Sequence, residues 1–131
     1  MIKMVYAWRD RAELGAERCE EHYRTVHAGL ARKVYEGFPG FVALTYNRVR
    51  EARVNDDNEA VSHVVTPDFD AFIELWFEDR ASFDAALSQP GLDHMFVDHA
   101  NFMETDIPAN IRIYEVDETL VAGRLVLDDQ G

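Results

Sequence analysis

Hydrophobic and polar residues follow two different periods along the chain, and these periods predict its elements. Alternation, or a high content of β-branched and aromatic residues, predicts four strands, at residues 2–8, 41–49, 70–78 and 111–116. A helical spacing of apolar residues predicts three helices, at residues 14–36, 80–88 and 92–104. Gly37, Pro39 and Gly40 end the first helix, and Pro90 and Gly91 end the second.

The order of these elements predicts the fold class. The chain reads β-α-β-β-α-β, with the second helical segment split in two. This order is typical of the ferredoxin-like α+β fold, a four-stranded antiparallel sheet with helices on one face. Residues 50–66 are polar and have no period, which predicts a long exposed loop. We expect one domain, residues 1–118, followed by an acidic C-terminal tail at 119–131.

The strand pattern also predicts a homodimer. Ile2, Met4 and Tyr6 alternate onto one face of the first strand, while Val5 and Ala7 make its other face apolar as well. A sheet with helices on one side leaves that second apolar face open. In a chain this short, a second copy related by a two-fold axis is the simplest cover. We therefore expect two sheets to close into a dimeric barrel.

The charge and composition of the chain exclude some classes of binding partner. The 131 residues include 13 Lys and Arg against 25 Asp and Glu, so the formal net charge is 13 − 25 = −12. Such a chain is repelled by phosphate backbones and anionic headgroups, which excludes nucleic acid and membrane surfaces as expected partners. No segment approaches the roughly 20 apolar residues of a membrane span, and the N-terminus lacks a signal-peptide pattern. With the single Cys19 unable to form an internal disulfide, we expect a reduced, cytoplasmic protein.

Two histidines on the first helix are the densest chemical signal. His22 and His27 lie five residues apart, about 140° around a helix, which places them on opposite flanks of the predicted apolar stripe. That stripe consists of Cys19, Tyr23, Val26, Leu30 and Val34. The spacing does not suit a shared metal ion, which favours i, i+4 ligands. One imidazole can reach a cavity as a proton carrier, or both are ordinary histidines at the helix boundary.

The segment at 92–104 carries a second pair of candidates. His99 falls within its apolar stripe, so it is either hydrogen-bonded in the core or lines a pocket. His94 and Asp98, four residues apart, are predicted to form a solvated surface pair. His63, in the polar segment, is predicted to be exposed.

Aromatic residues on the predicted strands complete the candidate chemistry. Tyr6, Trp8, Tyr46 and Trp76 either fill the core or form the apolar wall of a small-molecule cavity. The chain has no Gly-rich phosphate loop, no serine elbow and no paired cysteines, and nothing assembles a metal or haem ligand set. Imidazole, carboxylate and phenol groups remain, which suit proton transfer without a cofactor.

Several segments together resemble the EthD family of dimeric α/β-barrel proteins. The similarity lies in Glu21-His22-Tyr23 with His27-Ala28-Gly29-Leu30, in Phe38-Pro39-Gly40-Phe41 before the strand containing Tyr46, in the run from Phe69 to Phe77, and in the run from Asp98 to Phe102. The match spans almost the whole chain, in the family's order and spacing. It implies a homodimer with a cavity between the sheet and the first helix.

The resemblance also implies roles for particular residues in a small-molecule enzyme. Relatives act as lactone isomerases, polyketide cyclases or dehydratases, so we expect an aromatic, lactone or polyketide-like substrate, with neither cofactor nor metal. His27 matches the family's helix histidine and is the expected general acid or base. His22 is the second candidate for that role, or it orients the substrate. Asp98 or His99 is expected to orient or tune that histidine. Tyr46 and Tyr6 are candidates to hydrogen-bond a carbonyl oxygen, and the expected apolar wall consists of Trp8, Phe72 and Trp76.

Two other functions fit the same pattern. Electron-rich aromatic residues such as Trp8 and Trp76 are also compatible with a cofactorless monooxygenase of the same barrel class, which would consume oxygen. A non-catalytic dimer would bind an apolar ligand without converting it and would be indifferent to replacement of His27. A haem-binding barrel is a more distant alternative.

Overall fold

The computed structural model describes residues 1–55 and 62–125. Six strands and five α-helices follow one another along these residues, with one π-helical and one 3₁₀ turn between helices. In chain order they are β1 (Ile2–Trp8), α1 (Ala16–His22), the π-helical turn (Tyr23–His27), α2 (Ala28–Tyr35), β2 (Phe41–Arg48), β3 (Ala52–Asn55), β4 (Ser62–Val65), β5 (Ala71–Phe77), α3 (Arg80–Ala86), α4 (Leu92–Asp98), the 3₁₀ turn (His99–Asn101), α5 (Ile107–Asn110) and β6 (Ile111–Val116).

Four strands form one antiparallel sheet in the order β2-β5-β1-β6. With the helices packed on one side, this is the ferredoxin-like arrangement that the order of elements predicts. Trp8 lies opposite Ala71 on β5 and Ile111 on β6, so these three residues share a face. Strands β1 and β6 have the predicted bounds, β2 ends one residue earlier than predicted, and β5 is one residue shorter at each end.

The core lies between the sheet and the helices, because alternate residues of the two central strands face the same way. Met4, Leu75 and Phe77 of the sheet pack against Val34 and Tyr35 of α2 in one buried cluster. A second cluster packs the sheet against α1, the π-helical turn and the segment after α4, and contains Trp8, Cys19, Tyr23, Ala71, Phe102 and Met103. The functional candidates sit where these two clusters meet.

The π-helical turn changes which residues of the first helix face the core. Val26 was predicted to be buried but is 43% exposed, whereas His27 is only 4% exposed. A π-helical turn bonds residue i to residue i+5 and is therefore wider than an α-helical turn, so the residues that follow it are rotated out of the 3.6-residue period. The inward positions instead run every four residues, at Tyr23, His27, Ala31 and Tyr35.

The predicted loop at 50–66 is wrong in part, because it contains a β-hairpin. Strands β3 and β4 pair antiparallel, with Val54 opposite His63, and positions 56–61 lie outside the described residues. His63 is exposed, as predicted, and so are Val54 and Val64. Because neither face of this hairpin is buried in the core, its sequence carries no two-residue hydrophobic period.

The sheet face opposite the helices is less apolar than predicted. Lys3 Nζ lies 2.6 Å from Glu74 Oε2 and 2.8 Å from Glu118 Oε2, and its ammonium group sits 4.9 Å from the centre of the Trp76 ring. Burial disfavours the charged amine, but the hydrogen bonds and charges of Glu118 and Glu74 outweigh it, so the pKa of Lys3 is raised. This face therefore combines apolar residues with a compensated charge cluster.

Candidate functional site

A small cavity lies between the sheet and the helix layer. Its volume is about 50 Å³, room for only a few water molecules. The walls are mostly apolar, and the polar groups that reach it are imidazoles and phenols. It is lined by Tyr6, Trp8, Tyr23, His27, Ala31, Tyr35, Leu44, Ile73, Leu75, Leu87, Met95, Phe96, His99 and Met103. A mostly apolar pocket with a few converging polar groups is the usual form of a small-molecule site.

His27 is held at this cavity by a buried carboxylate. Its Nδ1 lies 2.9 Å from Oδ2 of Asp98, and both side chains are less than a tenth exposed. The π-helical turn places the imidazole inward, and the last residue of α4 meets it from the other side. The structure therefore joins His27 and Asp98, two of the residues singled out in the sequence.

Asp98 has two further partners. Its Oδ1 accepts hydrogen bonds from His22 Nε2 at 2.8 Å and from Asn101 Nδ2 at 2.9 Å. Burial opposes ionisation of this carboxyl, but the hydrogen bonds from Asn101, His22 and His27 outweigh it, so the pKa of Asp98 is lowered. Asp98 is therefore an anion at neutral pH, with both oxygens engaged.

Two predictions about these side chains are corrected. Asp98 is not half of a surface pair with His94, because it points into the protein while His94 is exposed. His22 and His27 do not lie on opposite flanks of the helix, because i, i+5 residues come into line along a π-helical turn and both imidazoles reach one carboxylate. His22 does not line the cavity. It borders a surface depression of about 220 Å³ together with Asn101.

The geometry determines the protonation state of His27. A carboxylate can only accept a hydrogen bond, so Nδ1 of His27 carries the proton and Nε2 keeps its lone pair. Burial lowers the pKa of His27 below its ordinary 6.5, although the hydrogen bond and charge of Asp98 oppose this effect. The imidazole is therefore neutral at pH 7, with a free basic nitrogen at the cavity.

His99 is a second, differently held imidazole in the cavity wall. Its ring centre lies 5.1 Å from that of His27, and its neighbours include the rings of Phe96 and Phe102. Burial, with a smaller contribution from His27, lowers the pKa of His99 to about 4. Of the two positions predicted for His99, the structure favours the pocket wall, where the ring stays neutral and can donate or accept one hydrogen bond.

Phenol groups supply the remaining polarity. Tyr6, Tyr23 and Tyr35 line the cavity, and burial raises the pKa of each hydroxyl. All three therefore stay protonated at neutral pH and can donate a hydrogen bond. Tyr46 lies behind Tyr23, with their ring centres 4.0 Å apart and the rings nearly parallel, and does not line the cavity itself.

The predicted aromatic wall is corrected by the strand register. Trp8 lines the cavity, stacked 5.7 Å from Tyr23 and 6.1 Å from Tyr46. Phe72 lies opposite Ala7, and Trp76 lies opposite Lys3. Since successive strand residues point to opposite faces, Phe72 and Trp76 belong to the face away from His27 and cannot form its wall within one protomer.

Sequence reasoning did not identify Tyr23 and Tyr35 as cavity residues. Tyr23 appeared only as a core position in the helical stripe, and Tyr35 fell outside that stripe. The signal that identifies them is the spacing of Tyr23, His27, Ala31 and Tyr35, which recurs every four residues. This pattern is visible once His27 is counted as an inward residue.

The fold and this cavity define a small α+β protein with a histidine–aspartate pair at an interior pocket. The family model described as "EthD domain" matches residues 11–106, and the chain belongs to this family. No curated protein matches the chain. Within the described residues, no helix has the length and apolar character needed to cross a membrane, and no group of three or more His, Cys, Asp or Glu side chains is arranged to hold a metal ion.

Solved structures similar to this chain share its fold at low sequence identity. An EthD family protein from Bacillus halodurans is 18% identical, with a TM-score of 0.59 over 91% of this chain and 100% of its own. HapK from Hahella chejuensis is 15% identical, with a TM-score of 0.59, and the match covers 96% of this chain and 99% of HapK. A protein from Jannaschia sp. described as dimeric and ferredoxin-like is 12% identical, with a TM-score of 0.57. The match covers 89% of this chain and 98% of that protein.

Proposed function

We propose that this protein is a cofactor-independent enzyme that moves a proton next to a carbonyl group of a small aromatic, lactone or polyketide-like substrate. The reaction is an isomerisation, cyclisation or dehydration. The observation that carries the proposal is the His27–Asp98 pair. A buried carboxylate orients a neutral imidazole, whose free nitrogen faces away from the carboxylate at a cavity lined by apolar and phenolic side chains.

The step is a general base reaction. Nε2 of His27 takes a proton from the carbon beside the carbonyl, and the C–H electron pair moves into a new C=C bond as negative charge develops on the oxygen. Tyr6 and His99 line the cavity as neutral hydrogen-bond donors for that oxygen. His27 then returns the proton to another carbon in an isomerisation, or to a departing hydroxyl in a dehydration.

Asp98 supports this step as a positioning residue. Its charge stabilises the imidazolium that forms when His27 accepts the proton, and its Oδ2 holds the ring with Nδ1 protonated. His22 and Asn101 hold the other oxygen and so prevent the carboxylate from rotating. This assigns His22 a role in orienting Asp98, since the side chain does not line the cavity.

Conversion of a substrate panel tests the proposal. Aromatic lactones, β-hydroxy ketones and linear aromatic polyketide analogues are incubated with the protein, and products are identified by mass spectrometry while dissolved oxygen is recorded. The proposal expects a product of equal mass, or lighter by one water, without oxygen uptake. Oxygen uptake in step with conversion would indicate the monooxygenase instead, and saturable binding with no conversion would indicate a non-catalytic ligand-binding protein.

The same sheet supports the proposal of a homodimer. Val5, Phe72 and Tyr114 lie on the face away from the helices, and Tyr114 is 48% exposed. The similar protein from Jannaschia sp. is described as dimeric. A second copy placed sheet to sheet would cover these side chains and the charge cluster around Lys3.

Light scattering after size-exclusion chromatography checks the dimer. We expect the wild type to elute with twice the 15.0 kDa mass of one chain. Tyr114→Glu should shift the elution toward the monomer, because the substitution would bury a carboxylate among the apolar side chains of the interface. Val97→Glu is the matched control, since Val97 is 76% exposed on α4 in the helix layer. A monomeric wild type, or equal behaviour of the two variants, would contradict the proposed interface.

A further inference from the structure

A second, larger concavity runs beside the cavity of His27. It lies between the first helix and β2, the strand at the edge of the sheet, and its volume is about 550 Å³. Ala28 and Ala31 leave room along the helix side, while Phe41 and Tyr46 supply aromatic surface on the strand side. We call this concavity the β2 groove.

The β2 groove adjoins the inner cavity, and the two share part of their lining. Tyr23, Ala31, Tyr35 and Leu44 line both. The inner cavity holds only a few waters, whereas pockets for small organic ligands span about 300–1,000 Å³. A substrate whose reacting carbon reaches His27 must therefore keep most of its bulk outside the inner cavity, and the adjoining β2 groove is large enough to hold it.

Two arginines line this groove in an otherwise strongly acidic chain. Arg24 and Arg32 are eight residues apart on one side of the helix, about 12 Å along its axis. The Arg24 guanidinium lies 5.3 Å from the centre of the Tyr46 ring and bonds through Nε to Glu20. Arg32 forms no salt bridge to any residue in the described ranges 1–55 and 62–125, and Glu36 is the acidic residue that shares the groove with it.

We propose that the β2 groove binds an aromatic substrate by its anionic end, with Arg32 as the principal cation and Arg24 as the second. The inference rests on the function proposed above and names its substrate class. With a net charge of −12, the rest of the surface repels anions, so attraction is confined to places where cations cluster. The planar guanidinium pairs with a carboxylate or phosphate through two parallel hydrogen bonds, while the aromatic side chains bind the flat part of the ligand.

Binding of matched naphthalene probes tests this inference. Dissociation constants are measured by isothermal titration calorimetry for 2-naphthoate, 2-naphthyl phosphate and neutral 2-naphthamide, which share one ring system. We expect the anions to bind about tenfold or more tightly than the amide, because charged hydrogen bonds are stronger than neutral ones. The tighter of the two anions identifies whether a carboxylate or a phosphate is the natural group.

Variants separate this site from general electrostatics. Arg32→Gln should weaken 2-naphthoate about tenfold and leave 2-naphthamide unchanged, and Arg32→Lys should restore part of the affinity. Lys33→Gln is the matched control, because it removes the same charge from the neighbouring exposed position, which does not line the groove. Equal weakening by both variants, equal affinity for anion and amide, or no saturable binding of 2-naphthoate would overturn the inference.

The inference and the proposed function fail in different ways. His27→Asn should reduce conversion of a substrate by about 10²- to 10⁴-fold while binding 2-naphthoate as the wild type does, because His27 does not line the β2 groove. Anion-selective binding without any conversion would refute the proposed enzyme and support the anion site in the β2 groove. Conversion of a substrate without anion-selective binding would support the enzyme and refute the anion site.

Discussion

His27→Asn is expected to reduce turnover of an identified substrate by about 10²- to 10⁴-fold, the usual contribution of a general acid or base. The asparagine amide can still donate to Oδ2 of Asp98, where Nδ1 donates at 2.9 Å in the wild type, but it offers no basic nitrogen to the cavity. The loss should appear in kcat, with the circular dichroism spectrum unchanged. Steady-state kinetics under saturating substrate provide the measurement.

His94→Asn is the control for that variant. It makes the same chemical change at an exposed histidine on α4, and turnover should stay within a factor of two of wild type, on the order of a surface substitution. If His27→Asn turned over substrate at the control's rate, the catalytic role of His27 would be wrong.

Trp8→Ala is expected to cost about 3–5 kcal/mol of the free energy of unfolding, as is typical when a fully buried tryptophan is truncated. The side chain is 1% exposed and contacts three aromatic rings, with centre distances of 5.7 Å to Tyr23, 6.1 Å to Tyr46 and 5.7 Å to Phe102. Its loss would leave a hole between β1 and the first helix that these rings cannot fill without moving. Urea denaturation at one fixed protein concentration measures the effect.

Leu120→Ala is the comparison for the stability experiment. Leu120 is 48% exposed, so its truncation should change the free energy of unfolding by no more than about 0.5 kcal/mol. Similar midpoints for the Trp8 and Leu120 variants would show that the aromatic cluster around Trp8 does not hold the sheet to the helices as described.

The fold could be predicted because its strands and helices have one buried face each. Met4 and Trp8 are buried on one face of β1, and that strand has the predicted bounds. The hairpin of β3 and β4 was missed for the converse reason, since its exposed valines impose no period. Sequence periodicity detects burial, and an element without a buried face leaves no such signal.

The candidate site was only partly predictable. His27 was singled out, but its inward position depends on the π-helical turn, which a 3.6-residue period does not represent. Asp98 lies four residues after His94, and spacing along α4 therefore indicated a surface pair. Its histidine partners are on the first helix, more than 70 positions away in sequence, and spacing within one helix cannot show a contact of that kind.

The strand aromatics illustrate a different limit. Both faces of β5 are rich in apolar residues, so alternation separates Phe72 and Trp76 from Ile73 and Leu75 without showing which pair meets the helices. The register settles this, because Leu75 lies opposite Met4 and both belong to the core under the helices.

The account depends on a neutral His27 whose proton sits on the nitrogen facing Asp98. Imidazole ¹⁵N chemical shifts, recorded between pH 4 and 8 and assigned by comparison with His27→Asn, measure this directly and need no substrate. Because burial outweighs the pull of Asp98 and lowers the pKa of His27, we expect the ring to be neutral at pH 7, with Nδ1 protonated, and to gain its second proton only below pH 6.5. A neutral form with the proton on Nε2, or a titration midpoint above 6.5, would contradict His27 as the base.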